Sequence, residues 1–118
     1  MSLSHWFKQL RREDRQPTVR VPEDGPNTPP IRRRYRFFGR VQGVGFRFQA
    51  MQFAVQLGLT GWARNEADGS VTVEIQGAES YIDEFVRAMR EFPWFNITDM
   101  RVEDLPLDGT ETKFRALY

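Results

Sequence analysis

Cysteine is absent from the chain, which excludes disulfides, thiolate metal sites and a cysteine nucleophile and fits a reducing compartment. Histidine occurs once, as His5, in a polar N-terminal stretch where a solvated side chain is the plain reading. The rest of the chain therefore has no histidine base and no residue for a phosphohistidine. No cluster of potential metal ligands stands out along the sequence. No apolar run approaches the roughly 20 residues needed to span a bilayer, and "MSLSHWFKQLRRED" lacks the apolar core of a secretory signal. A basic excess is missing too: the formal net charge of +1 is unlike that of strong nucleic-acid binders. The expectation is a cytoplasmic protein with neither a membrane nor a nucleic acid as partner.

What the chain does have is aromatic mass. Ten Phe, three Trp and three Tyr among 118 residues are enough to build the core of one domain. That mass is unevenly placed. The stretch "REDRQPTVRVPEDGPNTPPI" is rich in proline and charge, without helical or strand period, and residues 1–32 read as a flexible leader. Trp6, Phe7 and Leu10, with Ser4 as N-cap, form one short apolar stripe in it, a helix marginal on its own. Residues 33–118 read as the folded domain.

Within that domain the periods are legible. "RRYRFFGRV" alternates as a strand, with Tyr35, Phe37, Gly39 and Val41 on one face. Ala50, Phe53, Ala54 and Leu57 recur at i, i+3, i+4, i+7, a helix that Gly58 is placed to end. "LTGWARNE" is a second strand, "ADG" a hairpin turn, and "SVTVEIQG" a half-buried strand with Val71, Val73 and Ile75 inward. Ile82, Phe85, Val86 and Met89 mark a second helix, stopped by Pro93. "NITDMRVEDL" and "TKFRALY" complete the set as weaker strands. The order predicts an α+β fold: a ferredoxin-like split βαβ sandwich, βαββαβ, with an antiparallel sheet and two helices on one face.

The segment "GRVQGVGFRF" needs separate comment. It leads from a strand into a helix N-terminus, where backbone N–H groups lack intrahelical partners and the helix dipole is positive. Those are the ingredients of an anion site. Gly43 and Gly45 permit the backbone to curl so that N–H groups converge, and Arg47 in the first helical turn can fork hydrogen bonds onto a phosphate. A tight strand-to-helix turn beside a surface arginine accounts for two glycines equally well. Asn65, at the end of the adjacent strand, can cap the hairpin or hold a water molecule by its amide. The arginines at 32, 33, 34, 36 and 40 read as solvent-facing charge at a strand start, with steering of an anionic substrate as the alternative.

Taken together, "GRVQGVGFR" (Gly39–Arg47), "LGLTGWARN" (Leu57–Asn65) and "DGSVTVE" (Asp68–Glu74) resemble the acylphosphatase family in order and spacing. The resemblance covers residues 33–118. It implies hydrolysis of acyl phosphates (carboxyl-phosphate anhydrides) to a carboxylate and inorganic phosphate, without metal or cofactor, by a monomer acting on a small-molecule substrate. It places the catalytic arginine on Arg47 and the catalytic asparagine on Asn65, with phosphate bound by Gln42, Gly43, Val44, Gly45, Phe46 and Arg47. Two positions depart from the family's usual pattern: Ala63 stands where valine is common, and Phe92-Pro93 where a Gly-Pro step is common. Glu66 and Asp68 read as turn or surface carboxylates rather than general bases.

Two rival readings differ in class. RNA-recognition modules share the βαββαβ order, but their aromatic-glycine signature belongs on the third strand. Here "GVGFRF" precedes the first helix and "SVTVEIQG" has no aromatic. The other rival is a catalytically quiet domain of the same family acting as an interaction or regulatory module.

Overall fold

β1 runs from Ile31 to Arg40 and sends Tyr35 and Phe37 into the core. The computed structural model describes residues 19–25 and 27–118, so the short helix read on Trp6, Phe7 and Leu10 lies outside the described residues. After β1 follow α1 (Phe46–Gln56), β2 (Thr60–Asn65), β3 (Val71–Gly77), α2 (Glu79–Glu91), β4 (Asn96–Leu105) and β5 (Phe114–Ala116). They build one five-stranded sheet in the order β4-β1-β3-β2-β5, with both helices packed against one face. This is the α+β, ferredoxin-like arrangement that the element order predicts.

The sheet is antiparallel except at one edge, where β5 runs parallel to β2. Geometry dictates that direction. β4 ends at the lower end of the sheet, and the segment 106–113 crosses beneath it to the far edge. Two contacts mark the crossing: the Asp108 N–H donates to Gln76 Oε1 at 2.8 Å, and Arg32 Nη1 reaches Glu111 at 2.8 Å. A strand that rises from there must run with β2.

The core forms between the sheet and the helices. Phe37, Phe46, Phe53, Phe85, Ile75, Ile82 and Met89 are almost wholly buried. Phe46 packs on Phe37 and Phe95 with ring centroids 5.2 and 4.7 Å apart, which anchors the start of α1. Aromatic contacts of this kind contribute beyond their buried area. On β3 the expected alternation is only half of the pattern. Val71, Val73 and Ile75 are buried as predicted, but Thr72 and Glu74 are only 6% and 9% exposed. The cause lies on β1. Arg34 Nη2 sits 2.7 Å from Glu74 and Arg32 Nη2 3.1 Å from it, so arginine stems roof the central strand.

The expectation of solvent-facing arginines at the start of β1 fails for Arg32 and Arg33 and holds for Arg40, while Arg34 and Arg36 stay 42% and 40% exposed. Arg32 is 5% exposed between Glu74 and Glu111; Arg33 pairs with Glu79, Asp83 and Asp104, and Arg36 with Asp68 at 2.7 Å. Glu74 and Glu103 lie directly across from Arg34, and Asp104 from Arg33. The other carboxylates reach the guanidiniums from α2, the β2–β3 turn and the 106–113 crossing. Residues 19–25 lie along α2. Val19 packs against the core, the Arg20 N–H donates to Glu84 Oε2 at 2.6 Å, and the Ser80 hydroxyl donates to the Asp24 carboxylate at 2.9 Å.

Candidate active site

Three elements meet at the upper end of the sheet: the loop between β1 and α1, the end of β2, and the end of β5. Gly43 and Gly45 adopt φ of 74° and 80°, the left-handed region that side chains with a Cβ rarely occupy. A Cβ at either would meet nothing within 4 Å, so the glycines answer to backbone conformation and leave open space in front of the loop. Gly45 caps α1 without any side-chain hydrogen bond, and no acidic residue stands in the helix's first turn. The first intrahelical bond runs from the Gln49 N–H to the Gly45 carbonyl at 3.0 Å. The N–H groups ahead of it are left without intrahelical partners at the positive end of the dipole.

Arg47 follows the buried Phe46 and is held from the opposite side. Its Nη1 donates to the Leu117 carbonyl at 2.6 Å, and its guanidinium carbon lies 5.0 Å from the centre of the Tyr118 ring. The β2–β5 pairing sets this up: Ala63 opposes Ala116, and the Leu117 N–H donates to the Ala63 carbonyl at 2.8 Å. The same pairing puts β5's end beside Asn65, the last residue of β2.

These groups share a pocket of about 290 Å³ lined by Gly43, Gly45, Phe46, Arg47 and Asn65, with Phe48, Met51 and Tyr118 forming an apolar wall. Of the residues read from the sequence as phosphate-binding, the structure brings together Gly43, Gly45, Phe46 and Arg47, and it adds Asn65 to them. The Phe46 ring is buried against Phe37 and Phe95. Val44 packs its side chain against the core. Gln42 turns its side chain to the β2–β3 hairpin, where Nε2 donates to the carbonyls of Glu66 at 2.7 Å and Ser70 at 2.9 Å.

The nearby carboxylates are occupied elsewhere. Hydrogen bonds from Thr72 and Arg64 hold the Glu66 carboxyl below the usual range, and Ser70 does the same for Asp68. Both stay ionised and are weak proton acceptors. Sequence reasoning did not find Leu117, Tyr118, Phe48 or Met51. The spacing of Phe48 and Met51, one turn apart on a helix, was the available signal for two of them. Nothing in the sequence announced the contact of Arg47 with the chain 70 residues on.

A larger concavity, about 730 Å³, opens on the sheet face away from the helices and contains neither Arg47 nor Asn65. In it Arg34 pairs with Glu103 and Arg64 with Glu66, each at 3.1 Å, while Arg101 lies over the Phe38 ring with its guanidinium carbon 4.9 Å from the ring centre. Among the described residues no group of three or more metal-ligating side chains comes together, and no helix is long and apolar enough to cross a membrane.

The comparisons with known proteins bear on this geometry. Residues 33–116 match the sequence profile of the family described as Acylphosphatase. The acylphosphatase of Oceanobacillus iheyensis is 42% identical over 82 residues, 68% of this chain and 90% of that one. That of Rhizobium etli is 43% identical over 83 residues, 70% of this chain and 88% of the relative. The crystal structure of acylphosphatase from Bacillus subtilis superposes with a TM-score of 0.70 at 32% identity, covering 75% of this chain and 99% of that one. The glycine loop, Arg47 and Asn65 all fall inside the matched span, and the chain belongs to the acylphosphatase family.

Proposed function

We propose that this acylphosphatase holds the phosphoryl group of an acyl phosphate on the backbone N–H groups of the 42–46 loop and on Arg47, and that Asn65 orients the attacking water. The observation that carries the reading is the convergence of an uncapped helix start, a guanidinium and a strand-end amide on one pocket. An acyl phosphate is already an activated anhydride with a carboxylate as leaving group. The enzyme's task is therefore positioning and charge stabilisation rather than generation of a strong nucleophile. Water attacks phosphorus in line, the bond from phosphorus to the acyl oxygen breaks, and the electron pair leaves with the carboxylate. The proton of the attacking water passes to the phosphate product. Arg47 and the N–H groups meet the charge on the equatorial oxygens, and the Leu117 carbonyl and Tyr118 ring keep the guanidinium in place. With Glu66 and Asp68 committed to their own partners, no side-chain base is required.

The absence of cysteine supports a cytoplasmic enzyme. The test is release of phosphate and benzoate from benzoyl phosphate in the presence of EDTA, with Asn65→Ala measured alongside. The expected result is rapid turnover by the wild type and a loss of about 100-fold or more in a variant that melts like it. Near-normal turnover by folded Asn65→Ala would sink the role given to this amide. No turnover by folded wild type would leave the family fold without its chemistry.

A further inference from the structure

We infer that Gln42 is a positioning residue, whose side-chain amide sets the distance between the phosphate loop and the hairpin that carries Asn65. The inference rests on the functional reading above and deepens it. The loop and the hairpin approach each other without backbone pairing. β1 pairs with β3 only as far as Phe37 opposite Val71; beyond that point it keeps β4 as partner, through Gly39 opposite Ile97 and Arg40 opposite Asn96. Among the described residues no backbone–backbone hydrogen bond joins residues 41–45 to residues 65–70. The phosphate side of the site and the water side are thus built on two segments that part at the place where they must be aligned.

Gln42 spans that gap. Its single nitrogen places both protons on the hairpin, one on the Glu66 carbonyl at 2.7 Å and one on the Ser70 carbonyl at 2.9 Å. Those carbonyls sit at the two ends of the turn, which the Glu66 N–H also closes onto the Ser70 carbonyl at 2.8 Å. Glu66 directly follows Asn65, and Gln42 directly precedes Gly43. One amide therefore connects the neighbour of the water-orienting residue to the first glycine of the cradle. Two donors on one neutral nitrogen at this reach belong to glutamine; glutamate would face two carbonyls with none.

The hairpin does not need Gln42 in order to fold. Asp68 accepts from the Ser70 N–H at 3.0 Å and the Ser70 hydroxyl at 2.5 Å, and Arg36 binds Asp68 at 2.7 Å. Loss of the Gln42 amide should leave the turn formed and the cradle intact, with only their mutual placement loosened. In-line transfer is sensitive to such placement, since a displacement of about 1 Å can cost on the order of 100-fold in rate.

The experiment measures benzoyl phosphate kinetics, inhibition by inorganic phosphate and thermal melting for Gln42→Met, in the wild-type background and together with Asn65→Ala. Methionine keeps the length and removes both donors; Gln42→Glu serves as the second variant should the first fail to fold. Expected are a fall in kcat of about 10- to 100-fold in the wild-type background, phosphate inhibition within about threefold, and a fall of under about threefold once Asn65 is gone, because coupled residues are non-additive. An equal loss in both backgrounds, a phosphate affinity that weakens in step with kcat, or an unchanged kcat would each overturn the positioning role. Asn65→Ala with wild-type turnover would instead overturn the functional reading, and the inference with it.

Discussion

The two helices start in opposite ways. α2 leaves an extended Ala78 cap and places Glu79 in its first turn and Arg90 in its last, complementing the dipole at both ends. α1 starts from a left-handed Gly45, has no acidic residue in its first turn and no basic residue in its last, and carries Arg47 where a cation is least welcome. Helix charges of this kind are worth about 0.3–1 kcal/mol each, so α1 forgoes stabilisation that α2 collects. What fixes α1 is burial: Phe46, Ala50, Phe53 and Ala54 pack into the core. A helix start held by its apolar face can be left electropositive, and in the proposed mechanism that surplus is what an anionic substrate meets. On that reading the difference separates a helix built for the fold from one that also binds.

Removing Arg47 should break the comparison most severely. Arg47→Ala is expected to lose about 100-fold or more in kcat/KM, on the order of 3 kcal/mol of transition-state stabilisation, as read by steady-state hydrolysis of benzoyl phosphate. Thermal stability should hardly move. The variant gives up the bond to Leu117 and the stacking on Tyr118 but also removes a cation from the wrong end of a dipole. A variant that melts normally and turns over normally would refute the assignment.

Acid should separate the two helices next. On α2 the Glu84 carboxyl is held below the usual range by Arg87 first and by the Arg20 N–H as well. Asp68 and Asp108 are lowered in the same sense by Ser70 and Thr110. A lowered folded-state pKa contributes stability that is complete above the unfolded value, about 4 for carboxylates, and is lost as pH falls through the folded value. Melting temperature should therefore be flat near neutrality and fall below about pH 5. Among the described residues, the pocket beside α1 is lined by no histidine and no aspartate or glutamate. Turnover per folded molecule should accordingly show no step of protein origin between about pH 6 and 9. A bell-shaped profile in that window would point to a titrating group that the site does not contain.

Much of this was legible because local periods follow local burial. The alternation of Val71, Val73 and Ile75 and the helical spacing of Ile82, Phe85 and Met89 report which side faces the core. The glycine loop, Arg47 and Asn65 were legible as a motif in a strand-to-helix context. What escaped reading depends on partners distant in the chain. Glu74 is covered by arginines some 40 residues earlier, so no period on β3 encodes its burial. The parallel β5 follows from where the 106–113 crossing arrives, and its hold on Arg47 from a pairing with β2. Gln42 was legible as a loop residue, but the direction of its side chain was not, since two carbonyls on another hairpin decide it.

The finest test of the contrast concerns Glu79, the residue that gives α2 what α1 lacks. Its carboxylate lies in the first turn and pairs with Arg33, while remaining largely exposed, at 60% of the side chain. An exposed pair contributes little by itself, commonly 0–1 kcal/mol, and the dipole term is of similar size and screened by salt. Glu79→Gln keeps the shape and removes the charge. It should lower stability by about 0.5 kcal/mol in low salt, with the deficit shrinking as ionic strength rises, and leave kcat/KM unchanged because α2 begins at the opposite end of the sheet from the pocket. Denaturant melts at two salt concentrations measure this directly. A deficit that does not respond to salt would mean that Glu79 acts through packing against Arg33 rather than through charge, and the electrostatic half of the contrast between the helices would then rest on α1 alone.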